Sequence, residues 1–158
     1  MKWSKWISFK TFKQDSLPQQ SGVYIIRFVE EKRIPAGIAR ANGVDKEGTL
    51  SIGETADLRH RLAGFYRTVY SGATRSNHSA SWYYVSFKYS RLYPKKGLQF
   101  KFFQTATKAG AEREEFRLLT RYRTRFLDLP PLNNMPGKYP RNWKTIMERI
   151  TRKPPLKE

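Results

Sequence analysis

Residues 50–62 read Leu50-Ser51-Ile52-Gly53-Glu54-Thr55-Ala56-Asp57-Leu58-Arg59-His60-Arg61-Leu62, an apolar start that breaks at a glycine and resumes with helical spacing. Leu50 to Ile52 predicts a short strand stopped at Gly53. Beyond it, Leu58, Leu62, Phe65, Tyr66 and Val69 fall at i, i+4, i+7, i+8 and i+11, one stripe of a helix that Thr55 or Asp57 would cap. Upstream, the β-favouring run Val-Tyr-Ile-Ile-Arg-Phe-Val over 23–29 follows Gly22 and predicts a first strand. Residues 33–48 between them make a long connection for a hairpin. At the start of the chain, Trp3, Trp6, Phe9 and Phe12 alternate with Lys2, Lys5, Lys10 and Lys13, which predicts a poorly formed helix or an arm packed on the body.

Downstream, the aromatic-rich stretches 82–89 and 98–104 predict two more strands. Ala111, Leu118, Leu119, Tyr122 and Phe126 then predict a second helix over about 109–127. Trp143, Ile146, Met147 and Ile150 predict a short closing helix with Asn142 as its N-cap. The order strand, strand, helix, strand, strand, helix, helix gives an α+β fold with a small mixed or antiparallel β-sheet flanked by helices. At 158 residues the chain is expected to be one domain, with a core over about 21–134, the N-terminal arm, and a C-terminal helix and basic tail.

Lys and Arg number 31 against 13 Asp and Glu, a formal charge of +18. A polyanion is the usual partner of such a surface, so nucleic acid is expected. Zero Cys and two His exclude disulfide staples, zinc fingers and thiol catalysis. No apolar run reaches a membrane span and the N-terminus lacks an apolar signal core, so a soluble, cytoplasmic protein without a membrane partner is expected.

Two residues stand out for chemistry. With Glu115 at zero on a helical wheel, Phe126, Leu119, Tyr122, Ala111 and Leu118 lie within about 60° of it, so a carboxylate occupies the middle of an apolar stripe. Such a group needs an arginine, a hydrogen-bond network or a metal; Arg61 is one candidate partner. Arg61 itself flanks the stripe of its own helix, which suits a phosphate clamp or a snorkelling side chain. Arg59 and Arg67 point elsewhere on that helix and would add phosphate contacts.

Gly22-Val23-Tyr24, then Ser51-Ile52-Gly53, then Arg61 eight residues later, resembles the GIY-YIG nuclease superfamily. Glu115-Phe116-Arg117-Leu118-Leu119 resembles its catalytic glutamate helix, and Pro130-Pro131-Leu132-Asn133 its closing turn. His78 stands where many members carry a histidine in the loop after the first helix. The resemblance covers 21 to about 134. It implies a Mg²⁺-dependent DNA endonuclease, with Mn²⁺ as a substitute metal, in which Glu115 is the single metal-ligating carboxylate. It further implies that Tyr24 takes the proton from the attacking water, that Arg61 stabilises charge on the phosphoryl oxygens, that His78 positions water or the phosphate, and that Asn133 supports the site. A phenolate at Tyr24 would cost about 4 kcal/mol at neutral pH, which neighbouring cations must offset. The chain has Ser51 where the family usually carries tyrosine, and Phe65 where it often carries Tyr or His, with Tyr66 next door. Ser51 and Tyr66 are therefore accessory candidates.

A second reading is a non-catalytic nucleic-acid binder on a degenerate scaffold of that kind. In it, Trp82, Tyr84 and Lys88 would alternate along one strand and stack on bases. A homodimer is compatible with either reading.

Overall fold

The computed structural model describes residues 2–31, 34–73 and 78–134. The elements run β1 (Ile7–Ser8), β2 (Gly22–Phe28), β3 (Ile38–Ala39), β4 (Val44–Asp45), β5 (Thr49–Thr55), α1 (Leu58–Ser71), α2 (Ser79–Ser86), β6 (Leu98–Gln104) and α3 (Lys108–Phe126). The fold is α+β. Four strands form an antiparallel sheet in the order β1-β6-β2-β5, and β3 pairs with β4 in a separate two-stranded ribbon. Among the described residues no helix is long and apolar enough to cross a membrane. The closing helix expected over 143–150 lies outside the described residues.

β2 is central because every alternate residue has something to bury. Tyr24, Ile26 and Phe28 face one side with Phe9, Leu50, Leu62, Phe65 and Phe100, while Val23 faces the other with Ile52, Phe103, Ala111, Leu119, Tyr122 and Phe126. The helices divide accordingly: α1 and α2 contribute to the first core, and α3 packs on β2 and β5 in the second. Both helices start where the sequence provides a cap. Asp57 accepts from the His60 amide at 2.9 Å, and Thr107 from the Gly110 amide at 3.0 Å. α1 stops at Gly72, whose φ of +70° is the left-handed conformation that glycine adopts without steric cost.

Two expectations change, and two segments left open are resolved. The segment 82–89, expected as a strand, holds the last five residues of the helix α2 and the turns that follow it. The buried residues of α2, Ala80, Ser81 and Tyr84, lie at i, i+1 and i+4, a helical face, and the carbonyl of His78 receives the amides of Ser81 and Trp82. The interior of the sheet offers that segment no place, since β2 is paired on both sides and β6 lies between β1 and β2, while Leu132 and Asn133 bond to the free edge of β5. The β-favouring rings lose to helix–helix packing. The second strand does not stop at Gly53 but continues to Thr55, because Gly22 and Val23 pair with Thr55 and Glu54. The opening segment is an arm whose β1 pairs with Phe100 and Gln99. Phe9 is fully buried there against Phe65 and Phe100, and Trp6 lies 3.8 Å under the guanidinium of Arg27. Finally, the long connection over 33–48 contains the β3–β4 ribbon, which turns at Gly43 with φ +85°. Its Asp45 is buried yet accepts from the amides of Glu47 and Thr49 and from the Tyr122 hydroxyl, at 2.9–3.0 Å. Three donors offset the desolvation of that carboxylate and join the ribbon, the start of β5 and α3.

Candidate active site

β5 is an edge strand, and Gly53 lies near its end. Tyr24 and Gly53 are direct cross-strand partners, and the phenol of Tyr24 occupies the space a side chain at 53 would need. Glycine at 53 is therefore a packing requirement: it lets a ring rooted in the α1-side core carry its hydroxyl across the strand. Gly22 has a similar cause. A Cβ there would meet the carbonyl of Phe103 and lie 2.7 Å from Leu58, the first residue of α1.

Arg61, one turn into α1, donates from Nε to the Tyr24 hydroxyl at 3.3 Å. Tyr24 is 1 % exposed, and burial raises its pKa above the ordinary tyrosine value. The positive charge and hydrogen bond of Arg61 pull the other way, and the charge of Glu115 adds to the rise. Thus the hydroxyl is bonded to a guanidinium on α1 and lies within electrostatic reach of a carboxylate on α3. Glu115 is half-buried beside the stripe that the wheel identifies, with Ala111, Leu119, Tyr122 and Phe126 buried around it in sequence.

His78 caps the start of α2 without a side-chain capping bond and is 2 % exposed. Its ring lies 5.5 Å from that of Tyr24 and 5.2 Å from that of Phe65. Burial, and secondarily the charge of Arg61, push its pKa well below the ordinary histidine value, so the imidazole is neutral at physiological pH. Asn133 acts on the strand edge: its side chain accepts from the Ile52 amide at 2.9 Å and donates to the Ile52 carbonyl at 2.8 Å. It fills the open hydrogen-bonding edge of β5 as another strand would, one residue before Gly53. Ser51 is buried on the same face as Gly53 and Tyr24, opposite Ile26.

The remaining sequence candidates fall elsewhere. Tyr66 stacks on Tyr70 at 4.8 Å and packs edge-on against Phe12, where it holds the arm. Arg59 gives its guanidinium to the carbonyls of Leu17 and Asp15, so it fastens the segment before β2 to α1. Arg67 is exposed. The expected alternation of Trp82, Tyr84 and Lys88 does not exist on a helix, where residues two apart point to nearly opposite sides. Trp82 is 52 % exposed, while Tyr84 is buried and donates its hydroxyl to the Tyr93 carbonyl at 2.6 Å; its ring is core and offers no face to a base. Lys88 is exposed with φ +54°, just past the end of α2.

Sequence reasoning missed Glu54. Alternation puts it on the face opposite Gly53, toward α3, where it forms an ion pair with Lys108 in the first turn of that helix. Its spacing from Ile52 was the available signal. Among the described residues no group of three or more His, Asp or Glu gathers as a metal cage. One half-buried carboxylate nevertheless fits Mg²⁺, which keeps several waters and takes one or two carboxylates together with substrate phosphate. Comparison with protein families, curated proteins and solved structures finds nothing that matches this chain.

Proposed function

We propose that the protein is a Mg²⁺-dependent DNA endonuclease that hydrolyses phosphodiester bonds by a one-metal mechanism. The observation that carries this reading is the Tyr24 hydroxyl, lying over Gly53, bonded to Arg61 and within electrostatic reach of Glu115. A phenol, a guanidinium and a carboxylate converging on one edge are the groups needed to move a proton, stabilise an anionic phosphoryl group and hold a cation. The charge of +18 supports a polyanionic substrate. A cytoplasmic location belongs to the same proposal, since a cysteine-free chain acting on DNA has no need of an oxidising compartment.

Glu115 would hold the cation from α3. When bound, Mg²⁺ supplies positive charge to the transferring phosphoryl group and acidifies a nearby water. Arg61 stabilises the charge that builds on the phosphoryl oxygens and keeps the Tyr24 hydroxyl in place. Tyr24 is a neutral phenol at rest because burial dominates its environment. A neutral phenol accepts no proton, so Tyr24 first gives up its own proton to solvent, which requires the cationic charge beside it to outweigh burial. The phenolate then takes one from the attacking water. His78, neutral and enclosed by Phe65 and Tyr24, orients the groups around it without adding charge. Asn133 fixes the strand edge on which Gly53 lies.

The raised pKa of Tyr24 also favours the second reading, a DNA binder that does not cut, because a tyrosine that never ionises is a poor base. Incubating supercoiled plasmid with the protein separates the two. Nicking with Mg²⁺ that EDTA stops is the expected result; retention of DNA on the protein with no nicking under either condition would favour the binder.

A further inference from the structure

Residues 79–97 carry six aromatic side chains and four Lys or Arg, with no Asp or Glu. Folding buries only part of this apolar surface. Trp82 and Phe87 remain 52 % and 64 % exposed, and with Tyr83 they form one cluster of rings. Tyr83 and Phe87 are stacked at 5.6 Å, and Trp82 meets them edge-on at 5.3 and 6.0 Å. Lys88 and Arg91 follow directly and are exposed.

The cluster flanks the candidate site. The hydroxyl of Tyr83 accepts from the Asn134 side chain at 2.6 Å, and the adjacent Asn133 holds Ile52 next to Gly53. Tyr89, just beyond, donates its hydroxyl to the Pro131 carbonyl of the same turn. A substrate strand leaving the Tyr24–Glu115 edge over this turn would meet the rings next.

Charge decides among occupants. A second copy of this chain would bring its own Lys88 and Arg91 against these, with no carboxylate in the segment to pair them. An anionic strand with flat, apolar bases satisfies both the cations and the rings. We propose that Trp82, Tyr83 and Phe87 are a stacking platform for unpaired bases, and that the substrate is DNA with a single-stranded or branched segment beside the cleaved bond. This rests on the DNA reading above and adds the substrate class.

The test uses the full chain in EDTA, so that no cutting intervenes. Its variant is the double substitution Trp82→Ala and Phe87→Ala, at two exposed positions. Anisotropy is measured on a labelled forked duplex with single-stranded arms and on a blunt duplex of the same paired length. The wild type should prefer the fork about tenfold or more, and the variant should lose that preference while binding the blunt duplex as before. Equal binding of fork and blunt duplex by the wild type, or a preference the variant keeps, overturns the platform and leaves the nuclease reading standing. A wild-type dimer that the variant converts to monomer overturns it as well, by making the rings a self-interface. Failure to bind either DNA overturns the platform and the DNA reading together.

Discussion

The two faces of the sheet solve opposite electrostatic problems. On the α1 side, the polar residues of the candidate site are driven toward neutrality: Tyr24 and His78 are both almost fully buried, and burial is the largest cause of shift in each. On the α3 side, charge is kept and matched: Glu54 with Lys108, Glu114 with Arg117, and Asp45 with three hydrogen-bond donors. Gly53 leaves room for the Tyr24 ring on the α1 side of the edge strand. On the proposed reading, the contrast keeps the proton-handling Tyr24 and the cation-holding Glu115 within electrostatic reach of each other.

The largest effect that would break this contrast is loss of the hydroxyl alone. Tyr24→Phe keeps the ring beside Gly53 but removes the proton acceptor, and cleavage should fall by about 10²–10⁴-fold. Single-turnover cleavage measures it; a variant that cuts at wild-type rate would take Tyr24 out of the chemistry.

Filling the space over Gly53 comes next. Gly53→Ala drives a methyl into the Tyr24 phenol and should cost about 1–3 kcal/mol in denaturant unfolding. The same variant should lose cleavage disproportionately, because the hydroxyl is what must move. An alanine variant as stable and active as the parent would mean that the ring does not cross Gly53.

A pH experiment sharpens the neutral half of the comparison. The folded-state pKa of His78 lies well below the ordinary value of 6.5, so the unfolded chain binds the proton more readily. The stability this contributes is complete above about pH 6.5 and is lost as pH falls toward the folded value, at up to about 1.4 kcal/mol per pH unit. His78→Gln should flatten that part of the stability curve relative to wild type. Identical slopes for the two proteins below pH 6.5 would show that His78 is protonated in the folded state.

The smallest effects distinguish the arginines of α1. Arg59→Ala should lower stability by about 1–2 kcal/mol through its two carbonyl partners and leave the salt dependence of DNA binding unchanged. Arg67→Ala should do the reverse, reducing the slope of log K against log salt by about 1. The exposed ridge of Arg113 and Arg121, with Arg117 held by Glu114, lies on the face of α3 away from Glu115; removing it should weaken binding less than removing Arg67.

Strong periodicity made α1 and α3 legible, together with the place of Glu115 on its stripe, whereas Tyr24, His78 and Asn133 were singled out only by the resemblance. Segments whose structure is set by distant partners were not legible. Trp82 to Tyr89 has β-favouring residues at every turn, and over eight residues no spacing outweighs that composition. Only the burial of Ala80, Ser81 and Tyr84 against neighbouring elements reveals a helix. The β3–β4 ribbon is two residues wide on each side, too short for any period to register. Arg59 reads as a phosphate ligand because nothing near it in sequence announces the carbonyls of Asp15 and Leu17. Gly53 reads as a strand end, although its role is to admit a ring from the neighbouring strand.

Glu115→Ala tests the central claim most directly, read at once by Mg²⁺-dependent nicking, DNA affinity in EDTA and melting temperature. The account predicts loss of cleavage by about 10³-fold or more, with affinity and melting nearly unchanged, because the substitution removes a cation ligand and no phosphate contact. A variant that still nicks DNA, or one that melts several degrees lower from a wild type that cuts no DNA, would contradict it.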